Sequence, residues 1–221
     1  MKRIKISLTL NILIVLLTVL GAVCMFTGFK FMTGPIMYEA HQMKMFRFFT
    51  VDSNLFMGIV ALVFAIKQYR VLTRKDKEIS KKMYILKLMA TTGVALTFSV
   101  VFLYLSWIIE NGFYVMIMNS NLFFHLIIPV LSMITFMFFD GYSGINSKEA
   151  LFGLIPMLIY GVFYITNILI HMENGKVSPN YDWYWFVQLG VWFLPIVLII
   201  ISSLTYVLSL LLSKINNRQY K

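Results

Sequence analysis

The sequence predicts an all-α, polytopic membrane protein, one bundle of six transmembrane helices, on three observations. Of its 221 residues 60% are hydrophobic and only 13% are charged. With a mean hydropathy of +0.81, that composition excludes a water-soluble domain of this size. Apolar windows long enough to cross about 30 Å of hydrocarbon recur six times. Lys and Arg gather in alternate connections between those windows, the pattern that orients membrane helices.

The first window, about 6–28, follows a basic start, MKRIKIS, and contains Cys24, the only cysteine. Basic residues, an apolar core and a cysteine imitate a lipoprotein signal. Val23 before Cys24 is too bulky for that cleavage, and a run of roughly 20 residues is long enough to span, so a retained helix is expected. A single buried cysteine forms no internal disulfide and reports no redox compartment. The second window, about 47–66, opens FRFFTVDSNLFMG. The third, about 85–109, closes on Trp107, and the fourth, about 121–139, opens NSNLFFHLIIPVL. The fifth covers about 150–170 and the sixth about 184–212. Fully helical, the sixth would be about 43 Å long, so it is expected to tilt, project or bend near Pro195. Tyr181, Trp183, Tyr184 and Trp185 precede or open it and read with Trp107 as an aromatic belt at head-group level. No internal repeat marks paired broken helices of the transporter type, and small-residue pairs such as Gly153 and Gly161 are too scattered to name a helix contact.

The formal charge of +10 reads as topology rather than nucleic-acid binding, because of where the charge lies. Fourteen of the nineteen basic residues fall at the N-terminus, in the 67–82 segment, at Lys148 and at the C-terminus, which six crossings place on one side. Lys30, Lys44, Arg47 and Lys176 fall on the other, and Lys87 lies just inside the third helix. Both termini are therefore expected in the cytoplasm of a plasma or inner membrane. The 67–82 cluster also has the character of an anionic-lipid contact, but orientation already accounts for it.

At 3.6 residues per turn, Arg47, Thr50, Ser53 and Asn54 share one stripe of the second helix, which is expected to face the bundle interior. Asn121 and His125 lie four apart on one face of the fourth, with Pro129 a turn deeper. Both helices run inward from the same side, and Thr50 and His125 each lie on the order of 6 Å below the outer boundary. Equal depth lets them meet as nucleophile and base, since a neutral threonine hydroxyl needs an adjacent base to take its proton. Arg47, Asn54 and Asn121 are the candidates for stabilising the oxyanion or positioning the substrate, on position alone. No conventional third member is evident, as Asp52 points from another face. A threonine that back-bonds to a carbonyl and a histidine that bridges helices account for the same residues without catalysis.

FRFFTVDSNL, followed about 75 residues later by the histidine of NLFFHLIIPVL and by Asp140 at the end of that helix, resembles the androgen-induced and androgen-dependent tissue-factor-pathway regulator family, bacterial relatives included. The resemblance covers helix number and order along the whole chain, and its specific part is these two segments. It implies a six-helix threonine hydrolase that cleaves fatty acid esters of hydroxy fatty acids, without a metal or cofactor, with Thr50 as nucleophile and His125 as essential histidine. Asn-Leu-Phe-Phe before His125 departs from the His-rich animal version, which leaves the substrate open.

The expected partners are thus membrane lipids and a lipid-ester substrate. Two rival functions remain: a binding or transport protein that uses the same polar cleft without covalent chemistry, and a zinc-dependent hydrolase. For the latter, His41 and His171 lie on the same side as His125, with Glu39, Asp52 or Glu173 as further ligands. No H-x-x-x-H or H-E-x-x-H pair supports it, and no G-x-S-x-G, P-loop or Rossmann fingerprint occurs. Glu110 and Asp140 read as interfacial boundary residues.

Overall fold

The computed structural model describes residues 2–34, 40–142, 144–187 and 190–219, which are mostly helical. Among the described residues, five helices are long and apolar enough to cross a membrane: α1 (Lys2–Thr27), α2 (Phe49–Leu72), α3 (Lys81–Ile108), α5 (Ser147–Ile170) and α6 (Val191–Arg218). The fourth expected window forms a shorter apolar helix, α4 (Leu122–Phe138). It is shorter because the chain before it closes a one-turn helix, Gly112–Val115, and enters α4 through Asn119 at φ 51°, a left-handed conformation that asparagine tolerates and most side chains do not.

Several expected boundaries move: the third helix starts at Lys81, the fifth at Ser147, and the sixth ends at Arg218. The second helix runs on to Leu72, carrying Lys67 and Arg70 on its last turns, because nothing in that stretch breaks a helix. The sixth begins at Val191 rather than near 184, and residues 188 and 189 lie outside those described. Pro195 sits in the first turn of the regular helix Leu194–Arg218, where its missing N–H costs nothing, so it opens α6 rather than bending it.

α3 is the axis of the bundle. It packs on α2, α4, α5 and α6, while α1 packs on α2 and α4. Of its most apolar window 67% is buried, against 22% in α5 and in α6, which turn most of their surface outward. Small residues set the closest approaches: a Cβ added to Gly58 of α2 would lie 2.7 Å from Thr18 Cγ2 of α1. Gly153 of α5 likewise lies against Ser209 of α6, a contact whose pairing the sequence spacing did not reveal.

A buried polar cluster ties one end of the bundle together. Asp140, at the end of α4, accepts hydrogen bonds from Ser7 and, at 3.0 Å, from Asn11 of α1. Lys87 of α3 donates to Asn11 Oδ1 and lies 3.7 Å from Asp140 Oδ2. Gln68 of α2 bonds Ser7, and Asn216 of α6 donates 2.6 Å to the Asp140 carbonyl. Both Lys87 and Asp140 side chains are fully buried, which corrects the reading of Asp140 as a boundary residue. Its partners come from three other helices, and spacing within one helix does not show them. At the same end Arg3 donates 2.8 Å to the Phe138 carbonyl and 3.4 Å to that of Gln219, so the first residues of α1 and the end of α6 lie together.

Candidate functional site

The polar stripe of α2 faces inward. Ser53 and Asn54 are buried and Thr50 is half-buried. Arg47, expected on the same stripe, instead ends a separate 3-10 turn, Gln42–Arg47, because Phe48 is extended at φ −96°, ψ 126° and α2 starts only at Phe49. Ser53 Oγ lies 3.0 Å from Thr97 Oγ1 of α3. Asn54 Nδ2 donates 2.7 Å to the Thr50 carbonyl and 3.0 Å to the Phe124 carbonyl of α4. Both amide hydrogens of Asn54 thus go to backbone, while its Oδ1 is buried without a hydrogen-bond partner among the described residues. The Arg47 guanidinium sits 4.7 Å from the Phe48 ring centre and 5.9 Å from that of Trp183.

Thr50 lines a cavity of about 90 Å³ between α2, α3, α5 and α6. The rest of the wall is almost wholly apolar, including Leu96, Val100, Met157, Leu194 and Ile201. Its residues with polar groups are Thr50, Thr97, Tyr160, Tyr164 and Tyr184. Tyr184 lies beside Thr50 on this wall and accepts the Phe49 N–H at 2.8 Å. That N–H belongs to the first turn of α2, where backbone donors lack helical partners, so the tyrosine hydroxyl caps the helix that carries Thr50. Tyr160 donates to the Arg47 carbonyl and accepts the Trp183 indole N–H at 2.9 Å.

Trp183 and Tyr184 are therefore not belt residues. Both are buried, whereas Trp107 is 72% exposed. The segment folds inward because Asp182, itself buried, accepts the backbone N–H of Phe186 at 3.0 Å and of Val187 at 3.1 Å, and a hydrogen bond from Tyr164. Just before it, the chain leaves α5 through a two-stranded hairpin, Met172–Glu173 paired antiparallel with Lys176–Val177. Aspartate among four aromatics was the only signal in the sequence that could have marked this turn.

His125 is buried in a π-helical turn, Leu122–Ile127, that opens α4. Such turns insert an extra residue and re-aim side chains. Its Nδ1 lies 2.7 Å from the Met116 carbonyl. A carbonyl only accepts, so Nδ1 carries the proton and the neutral ring presents Nε2 as a base. Asn121, one turn earlier, is fully buried. α2 and α4 meet where Asn54 bonds the carbonyl of Phe124, the residue before His125. His125 is not among the residues lining the Thr50 cavity.

The histidines weighed as metal ligands are engaged elsewhere. His41 Nδ1 lies 3.0 Å from the Met25 carbonyl. His171 Nδ1 lies 2.9 Å from the Asn167 carbonyl, and its ring stacks on Tyr181 at 3.7 Å. Glu39 lies outside the described residues. Among the described residues no three His, Cys, Asp or Glu side chains group as a metal site.

No protein-family model, curated protein or solved structure matches the chain.

Proposed function

We propose that this protein is an integral-membrane hydrolase of lipid esters, with Thr50 as nucleophile and His125 as base. The observation that carries the reading is a threonine on the wall of a largely apolar cavity between four helices, a lining against which the methylenes of an acyl chain near the ester could pack. The resemblance of FRFFTVDSNL and NLFFHLIIPVL to the threonine-hydrolase family supports it, as does the tautomer of His125, which leaves Nε2 able to take a proton. In this reaction Thr50 Oγ1 bonds to the ester carbonyl carbon and its proton passes to Nε2. The bond to the leaving alcohol breaks as that proton is returned to it, and water then cleaves the acyl-threonine. Arg47 and Asn121 are the oxyanion candidates, since Asn54 directs both amide hydrogens to carbonyls. The reaction needs neither metal nor cofactor.

The membrane in this proposal is a plasma or inner membrane crossed six times, α4 included, with both termini in the cytoplasm. The basic bias of the connections supports that orientation, and the contacts of Arg3 with Phe138 and Gln219 support a shared side.

A second reading, lipid binding or transport without covalent chemistry, is favoured by one observation: His125 is absent from the cavity wall that Thr50 shares with Tyr184. Labelling with a fluorophosphonate probe separates the two. A probe adduct on Thr50 that disappears in His125→Ala supports the hydrolase, and an unlabelled, folded chain leaves the binding protein.

A further inference from the structure

On the opposite side of Phe49 and Tyr160 from Thr50, a second and larger recess opens between α2 and α5, with α3 behind it. Its volume is about 540 Å³, within the range of small-molecule sites. Phe49 and Tyr160 line both spaces. The recess is walled by Phe46, Phe49, Phe56, Tyr160 and Phe163, and Asp52 is its only charged lining residue. The rings form a connected row: Phe49 and Tyr160 are 5.2 Å apart between centres, Tyr160 and Phe163 6.0 Å.

Asp52 sits in the first turn of α2, where the helix N-terminus favours a negative charge. It is half-buried inside a membrane-spanning helix. Among the described residues its carboxylate has neither a hydrogen-bond nor an ion-pair partner. An ionisable group at such a depth normally pairs with another group or lines a pathway. A cation from outside the chain would supply the missing partner.

The remaining lining decides what kind of cation. The Ser53 hydroxyl is already placed against Thr97, and the Tyr160 hydroxyl is taken up by Arg47 and Trp183. A primary ammonium carries three N–H donors that diverge, and one acceptor group, the Asp52 carboxylate on one side of it, cannot take all three, leaving at least one unsatisfied in an apolar site. A quaternary ammonium has no N–H to satisfy, and its methyl groups pack against aromatic rings whose faces attract the charge. Phosphate-headed anionic lipids and free fatty acids would bring like charge to Asp52. We propose that this recess binds a bilayer-borne amphiphile with a quaternary ammonium head, the head at Asp52 and the aromatic row, the chain along the apolar remainder. The site is independent of any chemistry at Thr50.

The test uses the full chain purified in dodecyl maltoside and equilibrium binding of dodecyltrimethylammonium. Two comparison probes are its neutral carbon isostere, with a tert-butyl group for the trimethylammonium, and dodecanoate. The expected result is saturable binding of one cation per chain, about tenfold tighter or more than either comparison probe, and about tenfold weaker in Asp52→Asn. Equal affinity for the neutral isostere, tighter binding of dodecanoate, or unchanged binding by folded Asp52→Asn each overturns the proposal. If Asp52→Asn does not fold, the three probes on the unaltered chain still decide.

Discussion

Lys87→Met removes the cation from the most deeply buried charge pair in the bundle and leaves Asp140 behind. Both side chains are shielded from solvent, and Lys87 Nζ lies 3.7 Å from Asp140 Oδ2. Among the described residues Oδ2 has no hydrogen-bond donor, while Oδ1 keeps Ser7 and Asn11. At that separation, with an effective dielectric near 20, the attraction lost is about 4.5 kcal/mol, in line with roughly 3–5 kcal/mol for removing one partner of a buried pair. The expected cost is therefore about 3–5 kcal/mol. Adding Asp140→Asn removes the stranded charge and should return at least half of it. Reversible unfolding in mixed micelles of dodecyl maltoside and sodium dodecyl sulfate, run as a double-mutant cycle, measures both numbers. A Lys87→Met protein within about 1 kcal/mol of the unaltered chain, or a double variant worse than both singles, would refute the reasoning.

Three further outcomes concern other parts of the chain. Gly58→Ala should cost about 1–3 kcal/mol in the same unfolding assay, because the new Cβ would meet Thr18 of α1; an unchanged stability would show that α1 and α2 are not held at this distance. In the α2–α3 connection, hydrogen bonds of 2.9 Å from Arg70 hold the Asp76 carboxyl below the usual carboxylate range. A depressed folded pKa stabilises at pH above the unfolded value and is lost as pH falls through the folded one. The Asp76 carboxyl resonance should thus titrate below the ordinary aspartate range and return toward it in Arg70→Gln; an ordinary titration with Arg70 present would contradict the pairing. With Cys24 replaced by Ala, a cysteine at position 76 should react with impermeant maleimide only after cells are opened. Labelling of intact cells would invert the topology.

The helices were readable in the sequence because lipid imposes a simple rule, a long apolar window with its backbone bonded internally. The inward face of α2 was readable too, since Thr50, Ser53 and Asn54 on one stripe have few alternatives, whereas the extended Phe48 that takes Arg47 off that stripe was not. What spacing did not carry was partnership across the bundle. Asp140 and Lys87 each looked like an isolated charge near a helix end, and only the meeting of α1, α2, α3, α4 and α6 joins them through Ser7, Asn11, Gln68 and Asn216. Trp183 and Tyr184 have the composition of a belt, and their inward turn depends on Asp182 collecting two backbone N–H groups and Tyr164. For the candidate site, equal depth placed Thr50 and His125 on neighbouring helices. The π-helical turn at 122–127 and the Met116 contact that fix the histidine ring have no signature in the residues around it.

Ester turnover by the purified chain and its Thr50 variants bears most directly on the hydrolase proposal. With a long-chain fatty acid ester in micelles, Thr50→Ala and His125→Ala should each abolish hydrolysis, the double variant should be no worse than either single one, and Thr50→Ser should keep part of the activity. Folded Thr50→Ala protein that hydrolyses the ester at the unaltered rate would contradict the account and leave the cavity as a binding site.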